Sequence, residues 1–115
     1  MLTHISGRLT DKSPTELVIE AGGLGYLIHI SLHTYDLLSS SENQKILLVP
    51  IYREDQQSLY GFAEENERVM FKNLISVSGI GANIARLILS AMSPNELANN
   101  ILMENDEALR RIKGI

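Results

Sequence analysis

Leu74-Ile75-Ser76-Val77-Ser78-Gly79-Ile80-Gly81-Ala82-Asn83-Ile84-Ala85-Arg86-Leu87-Ile88-Leu89 reads as helix, tight glycine turn, helix. Just upstream and into this stretch, Val69, Met70, Phe71, Leu74 and Ile75 recur at helical spacing, which sets the element before the glycines. Gly79 and Gly81 can take backbone angles that other residues avoid, and without a Cβ they let a bulky group approach the main chain. The amides that open the second helix have no intrahelical partner and sit at the positive end of its dipole, so the turn suits a phosphate. A Gly-x-Gly also begins the dinucleotide-binding fingerprint, but that fingerprint follows a strand and needs a third glycine where this chain has Ile84. The stretch is therefore read as a helix-hairpin-helix facing a nucleic-acid backbone. A plainer alternative uses the same residues: a turn that only joins two packed helices, with Ile80 plugging the space between them.

Working outward, Arg110-Arg111-Ile112-Lys113-Gly114-Ile115 looks like the opening of a second hairpin, cut just after its first glycine, so the chain is expected to be a fragment or a truncated product. Two hairpins would clamp two phosphates. Between the hairpins, Ser93-Pro94-Asn95-Glu96 is a capping box with proline at the first helical position, which predicts a third helix over 95–102. Asn105 or Asp106 can cap a fourth, ending at Ile112. The first helix is predicted from Glu65 to about Val77 and the second from Ala82 to about Ala91.

Upstream of Ala63 the pattern changes to strands. Five short runs are predicted at 4–10, 15–20, 25–30, 44–52 and 58–62, with Ala21-Gly22-Gly23 turning between the second and third. A short helical turn is predicted from His33 to Leu38, after the third strand. Five strands with one helical interruption after the third is the order of an OB-type barrel, a common nucleic-acid module. The expected fold class is thus α+β: a five-stranded OB-type barrel over 1–63, followed by a small all-helical domain over 64–115 with helix-hairpin-helix motifs.

Composition narrows the function. At 115 residues, 44% hydrophobic and 21% charged, the chain has the make-up of an ordinary globular domain. It has no cysteine, hence no disulfide framework and no thiolate metal site. Met1-Leu2-Thr3-His4 lacks the features of a signal peptide and no apolar run reaches membrane-spanning length, so a cytoplasmic protein with no membrane partner is expected. A net charge of -4 is unlike a simple basic DNA binder. The charge is uneven: residues 1–63 hold four Lys or Arg against seven Asp or Glu, while residues 64–115 hold six against seven. Any nucleic acid must bind one face, with the acidic remainder pointing away or shaping its path. There is no Gly-Lys-Ser/Thr loop for ATP, and His4, His29 and His33 lack metal-ligand spacing.

Gly22-Gly23-Leu24-Gly25-Tyr26, Arg53-Glu54-Asp55 followed by Leu59-Tyr60-Gly61-Phe62, and Phe71-Lys72-Asn73-Leu74-Ile75 leading into Gly79-Ile80-Gly81 together resemble the RuvA family of bacterial Holliday-junction-binding proteins. The similarity covers essentially all 115 residues in the same order. The Arg-Glu-Asp ahead of Leu-Tyr-Gly-Phe is its specific part, since a generic hairpin protein has no reason to carry it. The resemblance implies a homotetramer that holds four-way junction DNA flat in recombination and repair. It also implies a C-terminal domain on a flexible linker that engages the hexameric ATPase RuvB, with the RuvC resolvase as a further partner. That domain is expected to be absent here, and the chain itself is expected to be non-catalytic, without cofactor or metal.

DNA contacts are expected at Ser78, Gly79, Ile80, Gly81, Asn83, Arg86, Lys113 and Gly114: the glycine turn offers backbone amides around Gly79, Ile80 and Gly81, and Arg86 and Lys113 add screened electrostatic attraction. The resemblance sets Glu54 and Asp55 as an acidic pin at the junction centre. Carboxylates there repel phosphates by roughly 1 kcal/mol per close pair in water, which favours an open junction. Without the resemblance the two acids read as a solvated turn. Asn83 departs from the family pattern, which has lysine there, so one phosphate-directed charge is missing and weaker junction binding is expected.

Two other functions draw on the same features. A DNA glycosylase also uses such a hairpin but needs a nucleophilic lysine or an activating aspartate beyond it, and Glu96, Glu104, Asp106 and Glu107 have no matching context. A plain single-strand-binding barrel needs exposed aromatics. Only Tyr26, Tyr35, Tyr52, Tyr60 and Phe62 are available, with Tyr26 and Phe62 better suited to the core.

Overall fold

The computed structural model describes residues 1–39, 42–92 and 96. Five strands, β1 (His4–Lys12), β2 (Glu16–Ala21), β3 (Leu24–Ile30), β4 (Asn43–Arg53) and β5 (Gln56–Phe62), close into a barrel in the order β1-β2-β3-β5-β4. Every neighbouring pair is antiparallel except β3 and β5, which run parallel through His29↔Tyr60 and Ile30↔Gly61. The helix α1 (Leu32–Leu37) follows β3, and α2 (Glu65–Ile75) and α3 (Ala82–Ala91) form the helical part. The expected closed five-stranded barrel with a helical part beside it is what the chain forms. Its predicted third and fourth helices lie outside the described residues.

Strand alternation builds the barrel interior. Leu17 and Ile19 of β2, Ile28 and Ile30 of β3, and Ile46 and Leu48 of β4 are buried at period two and form one apolar cluster. The register between β1 and β2 shifts between Leu9 and Asp11, an irregularity of the kind that lets a strand bend around a small barrel. Gly61 completes the interior from β5, where a Cβ would collide with the Cγ2 methyls of Ile28 and Ile46.

The outer face of β4 and β5 is buried by the helices. Val49, Tyr60 and Phe62 pack with Phe71 and Leu74 of α2 and with Ala82, Ala85, Ile88 and Leu89 of α3. Phe71 is the centre of this contact, its ring 5.2 Å from that of Tyr60 and 5.0 Å from that of Phe62. β5 is therefore covered on both faces, and the helical part sits on the β4–β5 hairpin. Phe62 is a core residue as expected, and Tyr26 is half-buried against the barrel cluster.

The helical stripe differs in one respect from the sequence pattern. Val69 is exposed, and the buried line along α2 runs Glu67, Phe71, Leu74. A carboxyl group thus takes an i, i+4, i+7 core position. It is tolerated because both its oxygens are bonded: Ser31 Oγ donates to Oε2 at 2.5 Å and Thr34 Oγ1 donates to Oε1.

Candidate nucleic-acid interface

The turn between α2 and α3 is built from a few backbone bonds. Ser76 closes α2, with its amide donating to Lys72 O and its hydroxyl to Asn73 O at 2.6 Å. Val77 N–H then donates to Leu74 O at 3.0 Å and Ile80 N–H to Val77 O at 3.1 Å. Between them Gly79 has φ of 87°, the left-handed region that penalises any residue with a Cβ. Ser78, Gly79 and Gly81 are exposed, while Ile80 is half-buried and packs against the core shared by the helices and the barrel.

Gly81 is the N-cap of α3, and its role differs from the expectation of unusual backbone angles. Its φ of -86° and ψ of 175° are open to any residue. A Cβ there would meet only Arg53 Nη2, at an ordinary 3.7 Å. The fold does not require glycine at this position. Among the described residues no side chain caps α3, and its first helical bond runs from Ala85 N–H to Gly81 O at 2.9 Å. The amides of Ala82, Asn83 and Ile84 precede that bond and form the bare, positive end of the helix. The Ile80 amide, by contrast, is consumed inside the turn.

The β4–β5 hairpin brings a second element to the same place. Arg53 pairs with Gln56, leaving Glu54 and Asp55 as an exposed two-residue turn. Ile51, Arg53, Gln56, Ser58 and Tyr60 line one side of a cleft of about 170 Å³ whose other side is Ala82 and Asn83. Among the described residues neither Arg53, Glu54 nor Asp55 enters an ion pair. The structure therefore sets an exposed guanidinium beside the opening of α3, with two carboxylates just beyond it.

Arg53 is the cation that the sequence pattern did not single out for this surface, because it lies 28 positions before Gly81 and meets it only through the packing of α3 on the hairpin. Arg86, expected among the phosphate contacts, is half-buried and bonded within the protein, to Ile30 O at 3.3 Å and to Asn83 Oδ1 at 2.9 Å. Lys113 and Gly114 lie outside the described residues. No group of His, Cys, Asp or Glu suited to a metal occurs among the described residues, and no helix there is long and apolar enough to cross a membrane.

Glu67 was also missed as a functional or structural polar residue. Its side chain is fully buried, and burial pushes its carboxyl above the ordinary value, opposed by the Ser31 and Thr34 hydrogen bonds and by nearby His33. Its spacing with Phe71 and Leu74 was the available signal.

Residues 1–61 match the family model of the RuvA N-terminal domain, and residues 71–115 match that of the SAM-like helix-hairpin-helix tandem. The chain is 51% identical over 115 residues to the Holliday junction branch migration complex subunit RuvA of Flavobacterium psychrophilum, covering all of this chain and 60% of that protein. It is 48% identical over its whole length to the protein of that name from Bacteroides fragilis and 41% to that of Porphyromonas gingivalis, covering 57% of each. The chain thus spans a little under three-fifths to three-fifths of the length of these curated relatives. A closed five-stranded barrel carrying a helix-hairpin-helix on its β4–β5 face, with both parts matched in sequence, places this chain in the RuvA family.

Proposed function

We propose that this chain binds four-way junction DNA and acts as the DNA-recognising part of a branch-migration complex. The observation that carries the reading is the bare N-terminus of α3, set behind the positive-φ Gly79 turn, with the exposed Arg53 guanidinium, in no ion pair among the described residues, beside it. Open amides and a helix dipole accept phosphate oxygens without reading bases, so binding follows backbone geometry and not sequence. Contacts are assigned to Ser78, Gly79, Gly81 and Asn83, with Arg53 as the exposed cation, and to Lys113 and Gly114 in a second hairpin. The Ile80 side chain anchors the turn to the core.

Glu54 and Asp55 act as a repulsive pin. Because they form the tip of the β4–β5 hairpin immediately after Arg53, attraction at the α3 opening and repulsion at the tip stand side by side. Four copies around an axis would bring eight such carboxylates to a junction centre and hold its strands apart. The chain is assigned no chemistry of its own. The ATP-driven step belongs to RuvB, contacted through the part of the family beyond the span matched here, and RuvC is a further partner of the assembled junction.

The test exploits the finding that a Cβ at position 81 meets no steric obstacle and needs no unusual backbone angle. Gly81→Ala should cost about 1 kcal/mol of stability or less, the difference between glycine and alanine at an N-cap, while junction affinity falls by an order of magnitude or more. Gly79→Val should also lose binding, with some loss of stability from the strained turn. Competition among four-way, duplex and single-stranded DNA gives the specificity. Unchanged junction affinity in a folded Gly81→Ala variant, or equal affinity for all three DNAs in the parent, refutes the assignment.

A further inference from the structure

Arg86 looks like a phosphate ligand by its charge and its place one turn into α3, yet its guanidinium is turned inward. Nη1 donates to Ile30 O at 3.3 Å, at the end of β3. Nη2 and Nε both donate to Asn83 Oδ1, at 2.9 and 3.3 Å. Arginine has donors only, so the atom it faces must be the carboxamide oxygen, and this settles which way the Asn83 side chain is turned. Asn83 Nδ2, with two N–H donors, is left without an acceptor among the described residues. Asn83 is exposed, is the second residue of α3, and lines the cleft opposite Arg53.

The same arginine also fastens α3 to the barrel. Its bond to Ile30 O stands beside a second tie, from Leu32 N–H of α1 to Ser90 Oγ at 3.0 Å, so the middle of α3 is held to the end of β3 through Arg86 and its last turn to the start of α1 through Ser90.

We propose that Arg86 is a positioning residue of the hairpin: it grips the Asn83 carboxamide by its oxygen and presents the nitrogen to the phosphate, without itself neutralising DNA charge. This rests on the reading that the hairpin binds DNA. A neutral, pre-oriented amide then offers one directed hydrogen bond in place of a cationic contact. A direct Arg86–phosphate contact and this arrangement differ in a measurable way. Losing a direct cationic contact lowers the slope of log affinity against log salt by about 0.9 per contact, whereas losing a neutral donor weakens binding and leaves the slope in place.

Junction affinity is measured by fluorescence anisotropy across a KCl series for the parent, Arg86→Met, Arg86→Lys, Asn83→Ala and the Arg86→Met/Asn83→Ala double variant, each checked for folding by circular dichroism. The positioning role predicts that Arg86→Met and Asn83→Ala each weaken binding about ten- to hundredfold, the range of one hydrogen bond from a neutral donor to a charged group, with unchanged salt slope. The double variant should match the single ones. Arg86→Lys, which keeps the charge but cannot grip the oxygen with two donors, should behave like Arg86→Met. A reduced slope in Arg86→Met, full rescue by lysine, or additive losses in the double variant overturn the proposal while leaving DNA binding intact. A parent chain that binds no DNA overturns the functional reading and this inference with it. The Asn83 side-chain amide resonances supply a DNA-free readout: they should move toward solvent-exposed values in Arg86→Met, and unchanged resonances refute the grip directly.

Discussion

Replacing Glu67 by alanine should be among the most damaging single changes in the described part of the chain. The carboxyl is the acceptor for two hydroxyls that are themselves buried, Ser31 at 1% and Thr34 at 0% exposure. Each hydroxyl is also an acceptor for a backbone amide: Thr34 N–H donates to Ser31 Oγ at 3.1 Å and Ala63 N–H donates to Thr34 Oγ1 at 3.2 Å. Two chains of bonds thus converge on one side chain and tie α1, the end of β5 and α2 together. Removing the acceptor leaves two buried donors unsatisfied at about 1–3 kcal/mol each, so a loss of roughly 2–6 kcal/mol is expected before any cavity cost. Against a typical total of about 5–15 kcal/mol, that is a large fraction.

Glu67→Gln separates hydrogen bonding from charge. The carboxamide keeps the shape and one acceptor, so at pH 8 its cost should be near 1 kcal/mol or less, because no charge is then buried. The pH dependence has a definite sign. Burial raises the folded-state pKa of Glu67 above its ordinary 4.5, so the native state binds the proton more tightly than the unfolded chain. The stability this contributes is fully present below 4.5 and is lost as pH rises through the raised value. The parent should therefore gain stability relative to Glu67→Gln as pH is lowered from 8 towards 4.5, with His33 and Glu64 present in both proteins. Urea unfolding followed by circular dichroism gives both quantities. A Glu67→Ala change below about 0.5 kcal/mol, or a parent-to-glutamine difference that stays flat across this range, refutes the account of the clasp.

Three further outcomes follow from the same geometry. Gly61→Ala should cost about 1–3 kcal/mol in denaturant unfolding, because the new methyl would stand 2.6 Å from Ile46 Cγ2 and nearer still to Ile28 in a filled barrel. Phe71→Ala should cost about 3–5 kcal/mol and loosen the helices from β4 and β5, seen as faster amide exchange in α2 and α3. Exchanging Glu54 for glutamine and Asp55 for asparagine should leave stability within about 0.5 kcal/mol, since both are exposed. The doubly neutralised protein should bind junctions at least as tightly as the parent but hold them less open, read as altered energy transfer between labelled arms; a loss of affinity with no other change refutes the pin.

The elements and their order were legible in the residues alone because they rest on local rules. Alternation in Leu17, Ile19, Ile28 and Ile30 marks strands whatever they pack against, and the change to helical spacing after Ala63 marks the helical part. Gly79 could be assigned to a turn from its neighbours, and the structure gives it the positive φ that only glycine adopts freely. Family membership was legible for the same reason, since the Arg-Glu-Asp hairpin and the glycine turn are contiguous strings.

Relations between distant segments were settled only by the packed structure. Charge alone nominated Arg86 for phosphate and passed over Arg53, yet packing of α3 on the β4–β5 hairpin bonds the first inside the protein and leaves the second exposed beside Gly81. Glu67 reads as a solvated helix residue until α1 supplies two hydroxyls, and Val69 reads as core until the helix is docked and its side chain faces outward. Periodicity records which side of an element is apolar. Whether a polar group on that element meets solvent or a partner depends on what the rest of the chain brings to it, and that is a property of the tertiary fold.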